Sequence, residues 1–235
     1  MFLEWLSGHF LLIMLLAGTI FTFCWLFAHR EVLKLKWYIA ILIAVLHTTW
    51  GVFCVKIFAF AESGFDLKTV GNMSLFGGVF FMPVFYFCMA KLLRLKSSQV
   101  FDYCTICMIF TLMCARVNCL VSGCCFGWHI PGTQLRWPTR EAELVYYVIF
   151  MIWIVRRLSS GRSRGEIYPI YMMSYGIFRF VDEFFRFYEV GTLMHPAHAW
   201  AAISFCIGFG IYMQLQSEAK ASDRHSSKRS ALGRR

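Results

Sequence analysis

Phe10-Leu11-Leu12-Ile13-Met14-Leu15-Leu16-Ala17-Gly18-Thr19-Ile20-Phe21-Thr22-Phe23-Cys24-Trp25-Leu26-Phe27-Ala28 is an apolar run without a charge, closed by Arg30, Lys34 and Lys36. Wound as an α-helix, at about 1.5 Å per residue, it is long enough to cross a hydrocarbon layer about 30 Å thick. It is apolar on every side, whereas a barrel strand would alternate. The rest of the chain has the same character: 59% hydrophobic, 15% charged, with 25 phenylalanines and 8 tryptophans in 235 residues. A water-soluble domain of this size has no room to hide that much apolar surface, so the sequence describes an all-α integral membrane protein. The leading segment holds Glu4 and His9 but no Lys or Arg. It therefore lacks the basic start of a signal peptide, and the first run is expected to remain as a mature helix.

Outward from that run, six further spans are expected at about Trp37–Phe60, Val70–Ala90, Phe101–Cys114, Leu144–Val155, Ile167–Val181 and Ala197–Leu215. The fifth is short, which puts Glu143 within membrane depth. Basic residues follow the odd-numbered spans: Lys91, Arg94 and Lys96 after the third, and Arg156, Arg157, Arg162 and Arg164 after the fifth. They are sparse after the second and fourth. Positive charge stays on the cytoplasmic side, so the chain is expected to cross seven times with its amino terminus outside and its carboxy terminus in the cytoplasm. Residues 1–216 form one expected domain. The basic, serine-rich tail 217–235 reads as disordered. The formal net charge of +10 is then mostly topogenic, not a nucleic-acid signal.

Two polar constellations interrupt the apolar pattern, and both fall on the outer face. The first is Ala115-Arg116-Val117-Asn118-Cys119-Leu120-Val121-Ser122-Gly123-Cys124-Cys125-Phe126-Gly127. A guanidinium at the edge of a hydrocarbon layer is costly unless an anion, such as a lipid phosphate, lies against it. The plainer alternative is an interfacial arginine that snorkels to water. The second is the polar stripe Tyr171, Tyr175, Arg179, Glu183 and Arg186, spaced by four, four, four and three residues on one helical face. Such a stripe faces either a cavity or a neighbouring helix locked by an Arg–Glu pair.

Together these constellations resemble the phosphatidylglycerol–prolipoprotein diacylglyceryl transferases of bacterial inner membranes. Arg116 and Gly127 hold the family signature's spacing, with Gly123 in place between them. Trp137-Pro138-Thr139-Arg140-Glu141-Ala142-Glu143 is similar to the family's His-Pro-Thr-Gln-Leu-Tyr-Glu. Met73-Ser74, Gly77 and Gly78 match Met-Ser-Phe-His-Gly-Gly. Tyr175, Gly176, Arg179, Phe180, Glu183 and Arg186 match the family's Tyr-Gly-x-x-Arg-Phe-x-x-Glu-x-x-Arg in full. The likeness runs from about Gly71 to Leu215. It departs where a family asparagine falls on Cys119, the signature glutamate on Cys124, a histidine on Phe76 and a glutamine on Arg140, as in a cysteine-carrying branch.

The resemblance implies a seven-span fold with an outward-facing site. It also implies transfer of a diacylglyceryl group from phosphatidylglycerol to a lipoprotein-precursor cysteine, in the bacterial plasma membrane and with release of glycerol phosphate. Arg116 and Arg179 are the expected phosphate contacts, Glu143 and Glu183 orient an arginine or accept a proton, and Tyr175 donates to the phosphate. Gly77, Gly78, Gly127, Arg186 and His129 are expected to help bind substrate. Cys119, Cys124 and Cys125 read as structural, through a disulfide of Cys119 with either neighbour, or as reactive through an acyl thioester. A zinc site is not expected, because the spacing lacks a paired Cys-x-x-Cys, and no cofactor is expected either. A cysteine-dependent acyltransferase and a non-enzymatic lipid- or anion-binding protein are the alternatives. The charge pattern predicts that reporter fusions after Lys96 and after Arg164 both report cytoplasm. An exported signal at either position contradicts the orientation.

Overall fold

The computed structural model describes residues 2–69, 71–161, 164–188 and 194–232, with side chains described between 9 and 221. Val70 and Arg162, and the side chains of Glu4 and of the tail beyond Ala221, all used in the sequence reading, lie outside what is described. Among the described residues there are seven α-helices and no named strand: α1 Phe2–Ala28, α2 Trp37–Glu62, α3 Leu75–Leu92, α4 Ser97–Val121, α5 Thr139–Ser159, α6 Ile167–Glu183 and α7 Pro196–Leu232. A single 3-10 turn, Leu67–Thr69, sits between α2 and α3.

Five of the helices are long and apolar enough to cross a membrane: α1, α2, α3, α4 and the first part of α7. This is the architecture of a multi-pass membrane protein. The other two are more polar or shorter. α5 begins Thr139-Arg140-Glu141 and ends in Arg156 and Arg157, while α6 has 17 residues and carries the polar stripe.

Three boundaries differ from the sequence reading, each for a local reason. α4 does not stop at Cys114, because the next residue able to turn the chain freely is Gly123 at φ 67°. Arg116, Asn118 and Cys119 are therefore helical and not part of a loop. α5 starts at Thr139, directly after Pro138, so Glu143 falls on its second turn. The tail expected to be disordered continues α7 as helix to Leu232, since the chain between Gly210 and Gly233 contains no Gly or Pro.

α4 is the hub of the bundle, packing on α1, α3, α5 and α6. The polar atoms buried around it are answered from neighbouring helices. Pro83 inside α3 has no N–H, which leaves the Val79 carbonyl one turn earlier without its helical donor. The Tyr168 hydroxyl of α6 donates to that carbonyl. Asp102 of α4 is fully buried and accepts the Gly165 N–H at 2.7 Å and the Ile167 N–H at 3.0 Å, capping the start of α6. Glu166 then ties α5 to α7, with Arg157 at 2.5 Å and the Gln216 side-chain amide at 2.9 Å.

α6 and α7 share the most extensive helix contact. They approach so closely because Gly176 and Gly208 have no side chain at the crossing. A Cβ on Gly176 would lie 2.6 Å from the Ala201 carbonyl oxygen, and one on Gly208 would lie 2.8 Å from that of Pro169. Gly208→Leu is expected to force the pair apart at a cost of about 1–3 kcal/mol, read as a lower melting temperature of the detergent-solubilised protein. Gly210, with nothing within 4 Å of its Cβ position, is the control that should leave it unchanged.

Candidate active site

α4, α5 and α6 bring the two polar constellations together. Arg116 of α4 is 4% exposed, and its Nε lies 2.6 Å from Oε2 of Glu143 on α5, which is completely buried. Oε1 of the same carboxylate accepts the Tyr147 hydroxyl at 2.7 Å and the Tyr175 hydroxyl of α6 at 3.1 Å. One turn beyond Tyr175, Arg179 reaches Asp182 at 3.0 Å and Glu183 at 2.5 Å. Glu183 also accepts the Tyr188 hydroxyl from the segment after α6. Burial, and then the Glu183 charge, push the Tyr188 phenol up to about 12, so it remains a donor.

The stripe of α6 is thus inward-facing throughout, with Tyr171, Tyr175, Arg179 and Glu183 all buried; Arg186, expected on the same helix, lies three residues past its end and is buried as well. The locking Arg–Glu pair is present within the stripe. Glu143 also lies in the fields of Arg179 and Arg186, so three guanidiniums and three carboxylates form one cluster. Arg186 differs from the other two arginines. It is 8% exposed, and its Nε and Nη2 have no hydrogen-bond partner among the described residues.

The backbone around Arg186 is held by the loop that follows α4. Gly127 pairs with Arg186 in an antiparallel bridge, flanked by Phe187 N–H to the Phe126 carbonyl at 3.0 Å and Trp128 N–H to the Phe185 carbonyl at 3.0 Å. A Cβ on Gly127 would sit 2.4 Å from the Trp137 carbonyl oxygen and 2.8 Å from that of Phe185. Gly127 is therefore the place where three backbone segments meet. Arg136 lies over the Phe126 ring, with its guanidinium carbon 3.8 Å from the centroid.

The other expected residues fall around this cluster. Gly77 lets α3 meet the Cys54 carbonyl of α2, and Gly78 faces Val55 and Leu112. Gly78 also lines an apolar cleft among α1, α2, α3 and α4 whose walls include Cys114 and Ala115, the residues directly before Arg116 in the chain. Phe76 packs on the Tyr175 ring, with centroids 5.8 Å apart. His129 is exposed and bridges to Arg136 outside the cluster. Sequence reasoning missed Tyr147, Asp182 and Tyr188. Tyr147 stands one turn after Glu143 and Asp182 three residues after Arg179, so helical spacing was the available signal. Tyr188 lies beyond the helix and carried none.

Cys119, Cys124 and Cys125 are free thiols, and their sulfur atoms all lie within 4.8 Å of one another. The disulfide considered from the sequence is not formed. Arg140 donates to the carbonyls of Cys119 at 3.4 Å and Cys124 at 3.3 Å, and the Thr139 hydroxyl to that of Cys125 at 3.3 Å. The Cys125 thiol is drawn well below its ordinary value by the hydrogen bond from Cys119, helped by the charges of Arg186 and Arg116. Burial pushes Cys124 the other way.

The family model described as prolipoprotein diacylglyceryl transferase matches residues 10–214 of this chain. A protein of Polaromonas naphthalenivorans (strain CJ2), named phosphatidylglycerol–prolipoprotein diacylglyceryl transferase, is 23% identical over 175 residues, covering 66% of this chain and 63% of its own length. A protein of the same name from Polaromonas sp. (strain JS666 / ATCC BAA-500) is 23% identical over 159 residues, covering 59% of this chain and 56% of its own. The chain therefore spans less than two thirds of the curated relatives it matches.

Glu143 is the joint of the cluster, and its removal strands a buried guanidinium. Glu143→Ala is expected to cost about 3–5 kcal/mol, measured as loss of thermal stability in detergent. Glu143→Gln, which keeps the volume and an acceptor, should lose less. Equal stability of all three proteins would show that the Arg116 pair does not hold α4 to α5.

Proposed function

The chain belongs to the prolipoprotein diacylglyceryl transferase family, and from that premise we propose that it moves a diacylglyceryl group from phosphatidylglycerol to the thiol of a lipoprotein-precursor cysteine. It does so in a bacterial plasma membrane, as a seven-span protein with its amino terminus outside and its site on the outer face. The observation that carries the reading is the convergence of Arg116, Arg179 and the partly unpartnered Arg186 on one buried cluster, beside an apolar cleft. An anionic headgroup and an acyl chain are the two halves of one phospholipid, and these are the two surfaces that would take them.

The reaction displaces a phosphate ester from a glycerol carbon by a thiolate. Negative charge gathers on the departing phosphate, and cations set in place beforehand stabilise it most where water is excluded. The nitrogens of Arg186 that have no partner among the described residues make it the first phosphate contact. Arg179 and Arg116 add to the field while their carboxylate partners keep the guanidiniums oriented. Tyr175 donates to Glu143 here, so its part is to hold that carboxylate. Gly127 fixes the backbone on which Arg186 stands. Gly77 and Gly78 shape the wall of the cleft, and His129 has no part in this scheme.

Purified protein in detergent, given phosphatidylglycerol and a cysteine-bearing precursor peptide, should release glycerol phosphate and add a diacylglyceryl group to the peptide. Arg179→Ala and Arg186→Ala should each lower turnover about 10²–10³-fold, the effect of removing one charge-stabilising donor. Binding of the lipid without transfer would leave a lipid-binding protein. An acyl chain retained on Cys124 or Cys125 would replace this reading with acyl-thioester chemistry.

A further inference from the structure

The three thiols at the end of α4 and in the loop that follows it have no place in that scheme, yet the fold gathers them beside it. We propose that Cys119, Cys124 and Cys125 bind one Zn²⁺ ion whose fourth position takes the thiol of the acceptor peptide. The second half of this proposal rests on the transfer reaction given above.

The geometry is close to that of a bound ion. In a tetrahedral site with Zn–S bonds of about 2.3 Å, neighbouring sulfurs lie about 3.8 Å apart. Here the three sulfurs are within 4.8 Å of one another, a gap that small side-chain rotations close. The backbone explains how residues without Cys-x-x-Cys spacing meet. Cys119 lies on the last turn of α4, Gly123 ends the helix at φ 67°, and Cys125 adopts φ 58°, uncommon for a residue with a side chain. The two left-handed residues fold the Cys124-Cys125 pair back over Cys119. Arg140 and Thr139, at the start of α5, hold all three cysteine carbonyls.

Sulfur ligands select a soft or borderline ion such as zinc. Three protein ligands with an open fourth position are the arrangement of a catalytic zinc, whereas a structural zinc is closed by four. His129, bridged to Arg136, is not in the group, so it does not close the site. Cys124 and Cys125 are exposed and Cys119 half-buried, which leaves the position open to a peptide. Zinc with three thiolates carries a net charge of −1, and Arg186 is bridged to Gly127, two residues after Cys125. Cys119 follows Arg116 by three residues, one turn and about 4.5 Å along α4. The ion would lie at the edge of the phosphate site.

The cluster also lacks a free base. Among the described residues Glu143 is held by Arg116 and two tyrosines, Glu183 by Arg179 and Tyr188, and Asp182 by Arg179. A metal answers that need, because a thiol that coordinates zinc is deprotonated outright. The peptide thiol would bind the ion and release its proton to solvent. Its sulfur lone pair would then form the bond to the glycerol carbon while the carbon–oxygen bond to phosphate breaks, its electron pair leaving with glycerol phosphate. The neutral thioether is a weak ligand and departs, and the three cysteines remain unalkylated.

The test uses the full chain, reduced and kept anaerobic in detergent. Titration with Zn²⁺ against a chromophoric chelator should give one ion per chain. Co²⁺ in its place should show tetrahedral ligand-field bands and thiolate charge-transfer absorption. Cys119→Ser, Cys124→Ser and Cys125→Ser should each remove much of that absorption while the helical circular dichroism stays unchanged. A cysteine-bearing peptide should shift the cobalt spectrum, and the same peptide with serine should not. Failure of the reduced protein to bind one ion, or a disulfide that resists reduction, overturns the site. A cobalt spectrum blind to the peptide, or unchanged turnover of metal-stripped protein, overturns thiol activation and leaves the transfer reaction standing. Metal and peptide binding without any transfer supports the site and removes the reaction proposed for it.

Discussion

Three guanidiniums buried in an apolar helix bundle are the constraint to which the rest of this structure answers. An arginine does not shed its proton to escape desolvation, so each needs a counter-charge at fixed range. Glu143 supplies that of Arg116 from α5, and Asp182 and Glu183 together supply that of Arg179 from α6 itself. Arg186 lies in the field of Glu143 and Asp182 without a close ion pair among the described residues. These demands set the angle and depth at which α5 and α6 meet α4. The hydroxyls of Tyr147 and Tyr175 then fill the remaining acceptor capacity of Glu143, so that an otherwise costly carboxylate becomes the joint of the bundle.

At the other end of α6 the same accounting applies without functional consequence. Asp102 satisfies the N–H groups that open the helix, and Tyr168 satisfies the carbonyl that Pro83 leaves bare. Gly176 and Gly208 press α7 against it. α6 is thus pinned along its length, with its polar stripe buried. The nitrogens of Arg186 stand out against this, because among the described residues they have neither a hydrogen-bond partner nor the close carboxylate that Arg116 and Arg179 have.

Much of this was legible in the chain. The apolar runs announced membrane helices because length and all-round hydrophobicity are properties of a segment alone. The stripe from Tyr171 to Arg186 was readable because a 3.6-residue period fixes which side chains share a face. The end of α4 was misread at Cys114, since a polar residue in an apolar run looks like a boundary when its partner is out of view. The true stop, Gly123, is a backbone matter. Tyr188 was not visible at all, because it lies beyond the helix whose period would have placed it.

The sequence by itself determined the helices, the inward face of α6 and the candidate arginines, since each follows from local spacing and from the cost of charge in hydrocarbon. Only the tertiary structure decided which acids Arg116 and Arg179 take, and that Arg186 has nitrogens without a partner among the described residues. It alone brought Cys119, Cys124 and Cys125 within 4.8 Å of one another. Their spacing in the chain argued against a metal. The reason lies in two left-handed residues and in Arg140 and Thr139 reaching over from α5. Such contacts between separate segments leave no period in a sequence.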